Sequence, residues 1–289
     1  MDYFLHLVVL GTIYSILAVS LNISVGYTGL LTLAHAAFYG VGAYAVGILT
    51  VEYNVNFFFA LLLAMPAAGV VAAMVSPILR LKGHFFILGT VAVQLMLTQV
   101  LFNWISLTKG PFGIPGVPSP VIFGLKLNTP PTFLLLSVPV MIIVVLLAAR
   151  LVNSPFGRVL KTIRANPSVA ESIGINVDLY RLRVFVITAM MAGVAGGLYA
   201  SYTRYVHPSA FDVVFSTFIL IMVILGGTGR WMGSVLGVVG LITIQESVRF
   251  IPALPANMVG PVQIMAYSGV LFAVMMLRPQ GLIGAYKLE

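Results

Sequence analysis

The sequence has little charge and no cysteine. Only 8% of its 289 residues are charged, with 7 acidic residues against 15 basic ones, whereas a soluble domain carries roughly 25% charged residues. The composition therefore excludes a soluble globular protein. The absence of cysteine also excludes disulfides and thiolate chemistry.

The motifs of a nucleotide hydrolase or a metal enzyme are missing as well. A phosphate-binding loop needs a lysine after a glycine, and no lysine of this sequence follows one. The four histidines and the seven acidic residues fall in separate elements, with no paired carboxylates and no metal-ligand spacing. We therefore expect no catalytic residue, no cofactor and no metal ion, and we do not expect the chain to be an enzyme.

The sequence is rich in apolar residues. Apolar residues make up 60% of the chain, the mean hydropathy is +1.09, and several uncharged runs exceed the ~20 residues that span a bilayer. The sequence predicts an all-α integral membrane protein, a polytopic helical bundle in a single transmembrane domain over 1–289, with about nine spans (eight to ten). The predicted spans are 3–22, 30–51, 57–79, 85–107, 130–150, 184–203, 214–226, 232–250 and 261–277.

Lysine and arginine are unevenly distributed between the loops. If the 151–183 loop is cytoplasmic, the alternation of spans places these residues on the cytoplasmic side: Arg80, Lys82, Arg150, Arg158, Lys161, Arg164, Arg181, Arg183, Arg230, Arg278 and Lys287. Only Lys109, Lys126, Arg204 and Arg249 then lie outside. The positive-inside rule therefore predicts an outer N-terminus and a cytoplasmic C-terminus. It also explains the net charge of +8 without any nucleic-acid partner.

One polar segment interrupts the apolar sequence, and it centres on NPSVAESIGIN at 166–176. Asn166 is a favoured N-cap, and Pro167 suits the first helical position. Gly174 is placed to end the helix in the left-handed conformation. The segment predicts a helix of about two turns, too short to be stable alone in water.

The same segment carries a family resemblance. RANPSVAESIGIN, with SPFGRVLKTI before it, resembles the cytoplasmic loop of ABC importer permeases, and more narrowly that of the LivM-type permeases of branched-chain amino acid importers. Further blocks agree in the family's order: GYTGLLTLAHAAFYGVGAY at 26–44, GPFGIPGVP at 110–118, ILGGTGRWMGSVLG at 224–237 and LRPQGLIG at 277–284. Permeases for urea and short-chain amides share these blocks, so both substrate classes stay open.

The resemblance implies a role and a set of partners. The chain would be the permease subunit of an importer in the bacterial inner membrane, beside a second homologous permease, two ATP-binding cassette subunits, a periplasmic or lipid-anchored solute-binding protein and membrane lipids. The cytoplasmic loop would carry the coupling helix, whose E-A-A…G pattern is matched only loosely because Ser172 stands in place of a small apolar residue. The implied ATPase-coupling residues are Arg164, Asn166, Pro167, Ala170, Glu171 and Gly174.

An ion-coupled secondary transporter is the alternative from another class. Such carriers place an ionisable residue near the membrane midplane, and His35 is the one candidate in this sequence. Two polar stretches within the spans are either interhelical hydrogen-bonding groups or a wall of the solute pathway, with glycines at 26 and 29 able to interrupt the first helix. The candidate pathway residues are Asn22, Thr28, Thr32, His35, Gln94, Thr98 and Asn103.

Overall fold

The protein is described by a computed structural model covering residues 2–122, 124–249, 258–277 and 280–284. Its α-helices are α1 (Asp2–Thr28), α2 (His35–Val51), α3 (Phe57–Met74), α4 (His84–Asn103), α5 (Ile105–Thr108), α6 (Pro130–Asn153), α7 (Pro155–Ala165), α8 (Pro167–Ser172), α9 (Val177–Thr203), α10 (Val213–Gly226), α11 (Trp231–Arg249) and α12 (Val259–Leu277). Each of the nine predicted spans coincides with one long helix of this series.

Six of these helices are long and apolar enough to cross a membrane, namely α1, α3, α4, α6, α9 and α11. The apolar helices α2, α10 and α12 are shorter, with apolar segments over His35–Val51, Val213–Gly226 and Gly260–Val274. The molecule is therefore a helical membrane protein of the predicted class. Helix α2 follows a turn at 29–34, and α10 follows a 3₁₀ turn at Pro208–Phe211.

Helix α9 lies at the centre of the bundle. Helices α2 and α3 pack along it, and α1 packs against α9, α6 and α11. Of the most apolar stretch of α9, 72% is buried within the protein, compared with 28% for α4. The central helix is thus shielded by protein, while α4 presents most of its apolar surface outward, as a lipid-facing helix does.

Glycines allow the central helices to touch through their backbones. A Cβ atom on Gly42 of α2 would collide with the backbone of Gly193 in α9, and one on Gly196 would collide with the carbonyl of Tyr39 and stand 2.7 Å from the amide nitrogen of Ala43. Small residues allow helix backbones to approach this closely. Four small residues spaced four apart along α9 are all buried, namely Ala189, Gly193, Gly197 and Ser201.

In the described residues, four short strands form two antiparallel pairs, which the sequence did not predict. Strand β1 (Ile114–Pro115) pairs with β4 (Tyr205–Val206), and β2 (Val121–Ile122) pairs with β3 (Leu125–Lys126). The β1–β4 pair joins the loop after α4 to the loop after α9, so the C-terminal ends of both helices lie at one end of the bundle. Tyr3 and Tyr202 extend this end to α1 and α11, since the Tyr3 hydroxyl donates to Glu246 at 2.6 Å and His6 contacts the Tyr202 hydroxyl at 2.6 Å.

The contact between α2 and α9 generates a prediction. Gly196→Ala introduces a methyl group against backbone atoms that cannot move aside, so we expect a loss of about 1–3 kcal/mol in the stability of the bundle. The matched control is Gly269→Ala, because Gly269 is an exposed helical glycine of α12 with no atom within 4 Å of an added Cβ. Thermal unfolding in detergent should show a lower midpoint for the first variant alone. Equal midpoints for both variants would show that the close backbone contact is wrong.

Candidate functional site

Helix α2 begins inside the bundle rather than at its surface. Residues 29–34 are non-helical, with Leu30, Thr32 and Ala34 buried, and the chain turns at Gly29, whose φ is +72°. His35, the first residue of α2, contacts the Ser20 hydroxyl through Nε2 at 2.7 Å. Ser20 lies eight residues before the end of α1, about 12 Å along the helix. The predicted interruption at Gly29 is confirmed, whereas the one at Gly26 is wrong, because α1 continues to Thr28.

The exposed amide groups at the start of α2 are satisfied by side chains from other helices. Ala34, at the N-cap position, offers no side-chain cap. Instead the Ala36 amide donates to Ser216 of α10 at 3.0 Å, and the Ala37 amide donates to the Gln94 Oε1 of α4 at 2.8 Å. An unsatisfied amide in the membrane interior would cost several kcal/mol, so these two side chains make the buried helix start tolerable.

Gln94 also binds the segment that leads into α10. Its Nε2 donates to the Phe211 carbonyl at 2.6 Å, and Thr98 donates to the same carbonyl at 3.1 Å. Ser216 donates to Gln94 Oε1 at 3.1 Å, and Gln94 is fully buried. One amide side chain therefore connects α2, α4 and the turn that leads into α10.

Asn22 holds the glycine-rich turn before α11 in the same way. Its Nδ2 donates to the Arg230 carbonyl at 2.9 Å and to the Ser234 hydroxyl at 2.6 Å, while its Oδ1 accepts from the Gly229 amide at 3.0 Å. Gly229 has a φ of +82°, which other residues rarely adopt. Both the nitrogen and the oxygen of the buried Asn22 side chain form hydrogen bonds with the turn, so Asn22 fixes the turn to α1.

The seven candidate pathway residues are placed in different surroundings. Asn22, His35, Gln94 and Thr98 are buried and join separate elements, as the hydrogen bonds above show. Thr28 and Thr32 are buried and form local hydrogen bonds. The Thr28 hydroxyl donates to the Ser24 carbonyl, and the Thr32 hydroxyl accepts from the Ala34 amide. Asn103 lies exposed near the end of α4 and donates to the Gln99 carbonyl at 2.8 Å. The structure does not bring the seven together on one surface, and their role in a pathway stays a prediction.

The polar segment folds as two consecutive helices, α7 and α8. Asn166 caps α8 as predicted, its Oδ1 accepting from the amides of Ser168 at 3.0 Å and Val169 at 3.2 Å. Gly174 follows the helix with a φ of +85°, the left-handed conformation that the sequence predicts. Helix α7 was missed by the sequence analysis, although Ser154 at its N-cap and Pro155 in its first turn are signals of a helix start.

Ala170 of α8 is buried, whereas the next residue, Glu171, is exposed. Ala170 is fully buried and forms a small apolar core with Ile163 of α7 and Val177 of α9. Glu171 is exposed, as are the two apolar residues Val169 and Ile173, at 52% and 66%. The helix is therefore fixed to the protein by Ala170, and its outer face, which carries Val169 and Ile173 four residues apart, is available to a partner.

Arg164 fastens this segment to the end of α1. Its guanidinium donates to the Val25 carbonyl at 3.0 Å and to the Gly26 carbonyl. The last carbonyls of a helix lack intrahelical donors, so an arginine is well suited to bind them. The Lys161 ammonium adds a contact 5.9 Å from the centre of the Tyr27 ring. The family resemblance implies that Arg164 is an ATPase-coupling residue. In the structure its guanidinium binds the end of α1, a contact that the sequence did not predict.

The capping of α2 by Gln94 generates a prediction. Gln94→Leu keeps the approximate volume of the side chain but removes the side-chain acceptor of the Ala37 amide and one of the two side-chain donors to the Phe211 carbonyl, so we expect a loss of about 1–3 kcal/mol in total. Gln99→Leu is the control, because Gln99 is exposed on the same helix. We expect a lower thermal midpoint and reduced folded yield for Gln94→Leu and little change for Gln99→Leu. The role of Gln94 would be refuted if the two leucine variants were equally stable.

Comparison with known proteins places the chain in a family. Residues 3–278 match the family model described as "Branched-chain amino acid transport system / permease component". The chain is 30% identical to the high-affinity branched-chain amino acid transport system permease protein LivM of Salmonella typhimurium, over 94% of this chain and 68% of that protein.

Two further relatives carry the same designation. The LivM protein of Escherichia coli is 30% identical over 95% of this chain and 68% of its own length. The probable branched-chain amino acid transport permease protein LivM of Methanocaldococcus jannaschii is 26% identical over 94% of this chain and 90% of its own length. No solved structure matches the chain. Because the family model covers nearly the whole sequence, the chain belongs to the family of branched-chain amino acid transport system permease components.

Proposed function

We propose that the chain is the membrane-spanning permease subunit of an ABC importer and that it carries branched-chain amino acids across the bacterial inner membrane. The observation that carries this proposal is the α7–α8 segment. Its outer face exposes Val169 and Ile173, while Arg164 binds it to α1. A helix with an exposed outer face and a fixed inner connection suits the transmission of force from another subunit, and the family membership supports an ATPase in that role.

The proposed topology has about nine spans, with the N-terminus outside and the C-terminus in the cytoplasm. The contacts support it, because the β1–β4 pair, Tyr3 and His6 gather the loops assigned to the outer side at one end of the bundle. Arg164 and Asn22 join the 151–183 loop, the end of α1 and the turn before α11 at the other end. Eleven of the fifteen lysines and arginines belong to that second end in the sequence, which is then the cytoplasmic one.

The proposed assembly supplies what this chain lacks. Since the sequence has no Gly-Lys-[Ser/Thr] motif, two partner ATPase subunits would bind and hydrolyse ATP. A second homologous permease would complete the membrane part, and a soluble or lipid-anchored binding protein would select the solute outside. The 1–289 chain would act as one transmembrane domain, with Asn166, Pro167, Ala170, Glu171 and Gly174 shaping the surface that meets the ATPase.

The proposed mechanism is alternating access driven through α8. Movement of the ATPase subunits would displace α8 and α7, and Arg164 would transmit this displacement to the end of α1. Asn22 would carry it on to the turn before α11. Because these contacts are hydrogen bonds to backbone groups, the connected parts would move together rather than slide past one another.

The topology can be tested with single cysteines, because the native chain has none. Ser168 and Lys126 are both exposed, at opposite ends of the bundle. In intact cells, Lys126→Cys should react with a membrane-impermeant thiol reagent, whereas Ser168→Cys should react only after the membrane is permeabilised. Full labelling of Ser168→Cys in intact cells would reverse the proposed orientation.

The function can be tested by uptake with variants of Gly174. Valine is strained by about 1–2 kcal/mol in the left-handed conformation, whereas asparagine tolerates it. No atom lies within 4 Å of an added Cβ at Gly174, so backbone strain is the main difference. In cells that carry the ATPase and binding-protein subunits, Gly174→Val should reduce leucine uptake severalfold and weaken copurification of the ATPase. Gly174→Asn should preserve both.

Several outcomes of this uptake experiment would change the proposal. Uptake that continues without ATP and follows a proton or sodium gradient would identify an ion-coupled carrier. ATP-dependent uptake of urea or a short-chain amide, with none of leucine, isoleucine or valine, would replace the substrate. Normal uptake and normal ATPase copurification by Gly174→Val would remove α8 from the coupling role.

A further inference from the structure

An open cleft of about 800 Å³ lies beside the α7–α8 segment. Its walls are the end of α1 with the turn after it, the residues that lead into α4, and the facing sides of α7, α8 and α9. None of the candidate pathway residues lines it. The cleft is therefore separate from the candidate pathway, and it shares Arg164, Pro167 and Glu171 with the proposed coupling segment.

The polar part of the cleft is strongly basic. Lys82, Lys161, Arg164 and Arg181 line it, and Glu171 is the acidic residue among the lining residues. The ion pairs found in the described part of the chain, Lys109–Glu52 and Arg249–Glu246, include neither Lys82 nor Arg181. Two of these cations therefore face the cleft without a carboxylate partner from the described residues, which favours an anionic ligand.

Arg181 supplies a second and independent indication. Its Nε atom is buried and has no hydrogen-bond partner among the described residues. A buried charged donor without an acceptor is unfavourable, and an arginine fork matches the oxygens of a phosphate or carboxylate. The donor lines the same cleft as Lys82 and Lys161, so an anion bound there would satisfy it.

The rest of the cleft is apolar and adjoins a lipid-facing surface. Leu30, Leu31 and Phe86 line its inner part. Leu81 lines it as well and is 43% exposed, and Phe85 and Leu88 of α4 are 73% and 66% exposed on the adjoining helix surface. A basic pocket that continues into an exposed apolar strip matches an amphipathic molecule with an anionic head and a hydrocarbon tail.

We propose that this cleft binds an anionic phospholipid, with the phosphate between Arg181 and Lys82 and an acyl chain along Leu81 and Phe85. Lys161 and Arg164 add positive charge to the headgroup site, and Glu171 lies on the exposed rim. Arg181 belongs to α9 and Lys82 precedes α4, so the lipid joins these two parts of the protein beside the coupling segment. The assignment to the cytoplasmic leaflet rests on the proposed function and its orientation.

The test compares two lipids that differ in headgroup only. The purified full chain in detergent is titrated with phosphatidylglycerol or with phosphatidylcholine of the same acyl chains, and bound lipid is counted by native mass spectrometry. We expect phosphatidylglycerol to bind at least about tenfold more tightly. Lys82→Gln and Arg181→Gln should each weaken its binding about fivefold and leave phosphatidylcholine unchanged. Arg181→Lys should lose less than Arg181→Gln, because it keeps the charge.

Arg158→Gln is the matched control. Arg158 is exposed on α7 at the same end of the protein and does not line the cleft, so its loss should change binding less than about twofold. Equal binding of the two lipids would overturn the proposal, and so would an equal loss in Arg158→Gln, which would indicate diffuse surface charge. Full displacement by inorganic phosphate at the lipid's concentration would show a site for a free anion instead.

One outcome would assign the cleft to a protein partner. If Lys82→Gln and Arg181→Gln retain lipid selectivity but lose the ATPase subunits, an acidic segment of that partner occupies the cleft, and the lipid proposal is wrong. The lipid titration uses the isolated chain and needs neither ATPase nor transport. Its failure would therefore leave the proposed function standing, and a failed uptake experiment would leave the lipid result interpretable.

Discussion

The need to satisfy backbone polar groups away from water is the constraint on which this structure depends. Two short apolar helices, α2 and α10, follow the turn at 29–34 and the segment at 204–212, which contains a 3₁₀ turn at Pro208–Phe211. Buried backbone groups in such segments are tolerated only if other parts of the protein bind them. Gln94 and Ser216 cap α2 and hold the turn before α10. Asn22 does the same for the turn before α11. The few buried polar side chains therefore account for where the helices begin, and the glycine-mediated contact of α2 with α9 follows from that placement.

The same kind of contact links the membrane part to the segment outside it. Arg164 donates to the last carbonyls of α1, and Asn22 near that end binds the turn before α11, so three parts of the chain that are distant in sequence form one connected unit. The outer face of α8 is the surface that a motor subunit would contact. In the proposed importer, work done on α8 would reach the bundle through hydrogen bonds to backbone groups, which keep their geometry better than a contact between mobile side chains.

Much of this arrangement could be predicted from sequence, and the reasons for the rest are physical. Hydropathy locates the six described helices that are long enough to cross a membrane and the three shorter apolar ones, and local signals fix the ends of α8 at Asn166 and Gly174. The partners of Gln94 and Asn22 lie 57 to 212 residues away in sequence, so no local pattern reveals which groups they bind. Sequence reasoning placed both residues either in a pathway wall or in interhelical hydrogen bonds, and the observed contacts are of the second kind. The inward contact of Arg164 and the helix α7 were missed because a basic amphipathic stretch is equally typical of a solvated loop.

In the proposed importer, α8 and the turn before α11 move as one unit with the end of α1. Spin labels on Ser168 and Met232, both exposed, measure the distance between these two parts in the assembled transporter by pulsed electron paramagnetic resonance. We expect a narrow distance distribution that stays the same with and without ATP, because Arg164 and Asn22 hold both sites to α1. A distance that shifts or broadens when nucleotide binds would contradict it, since α8 would then move independently of the bundle.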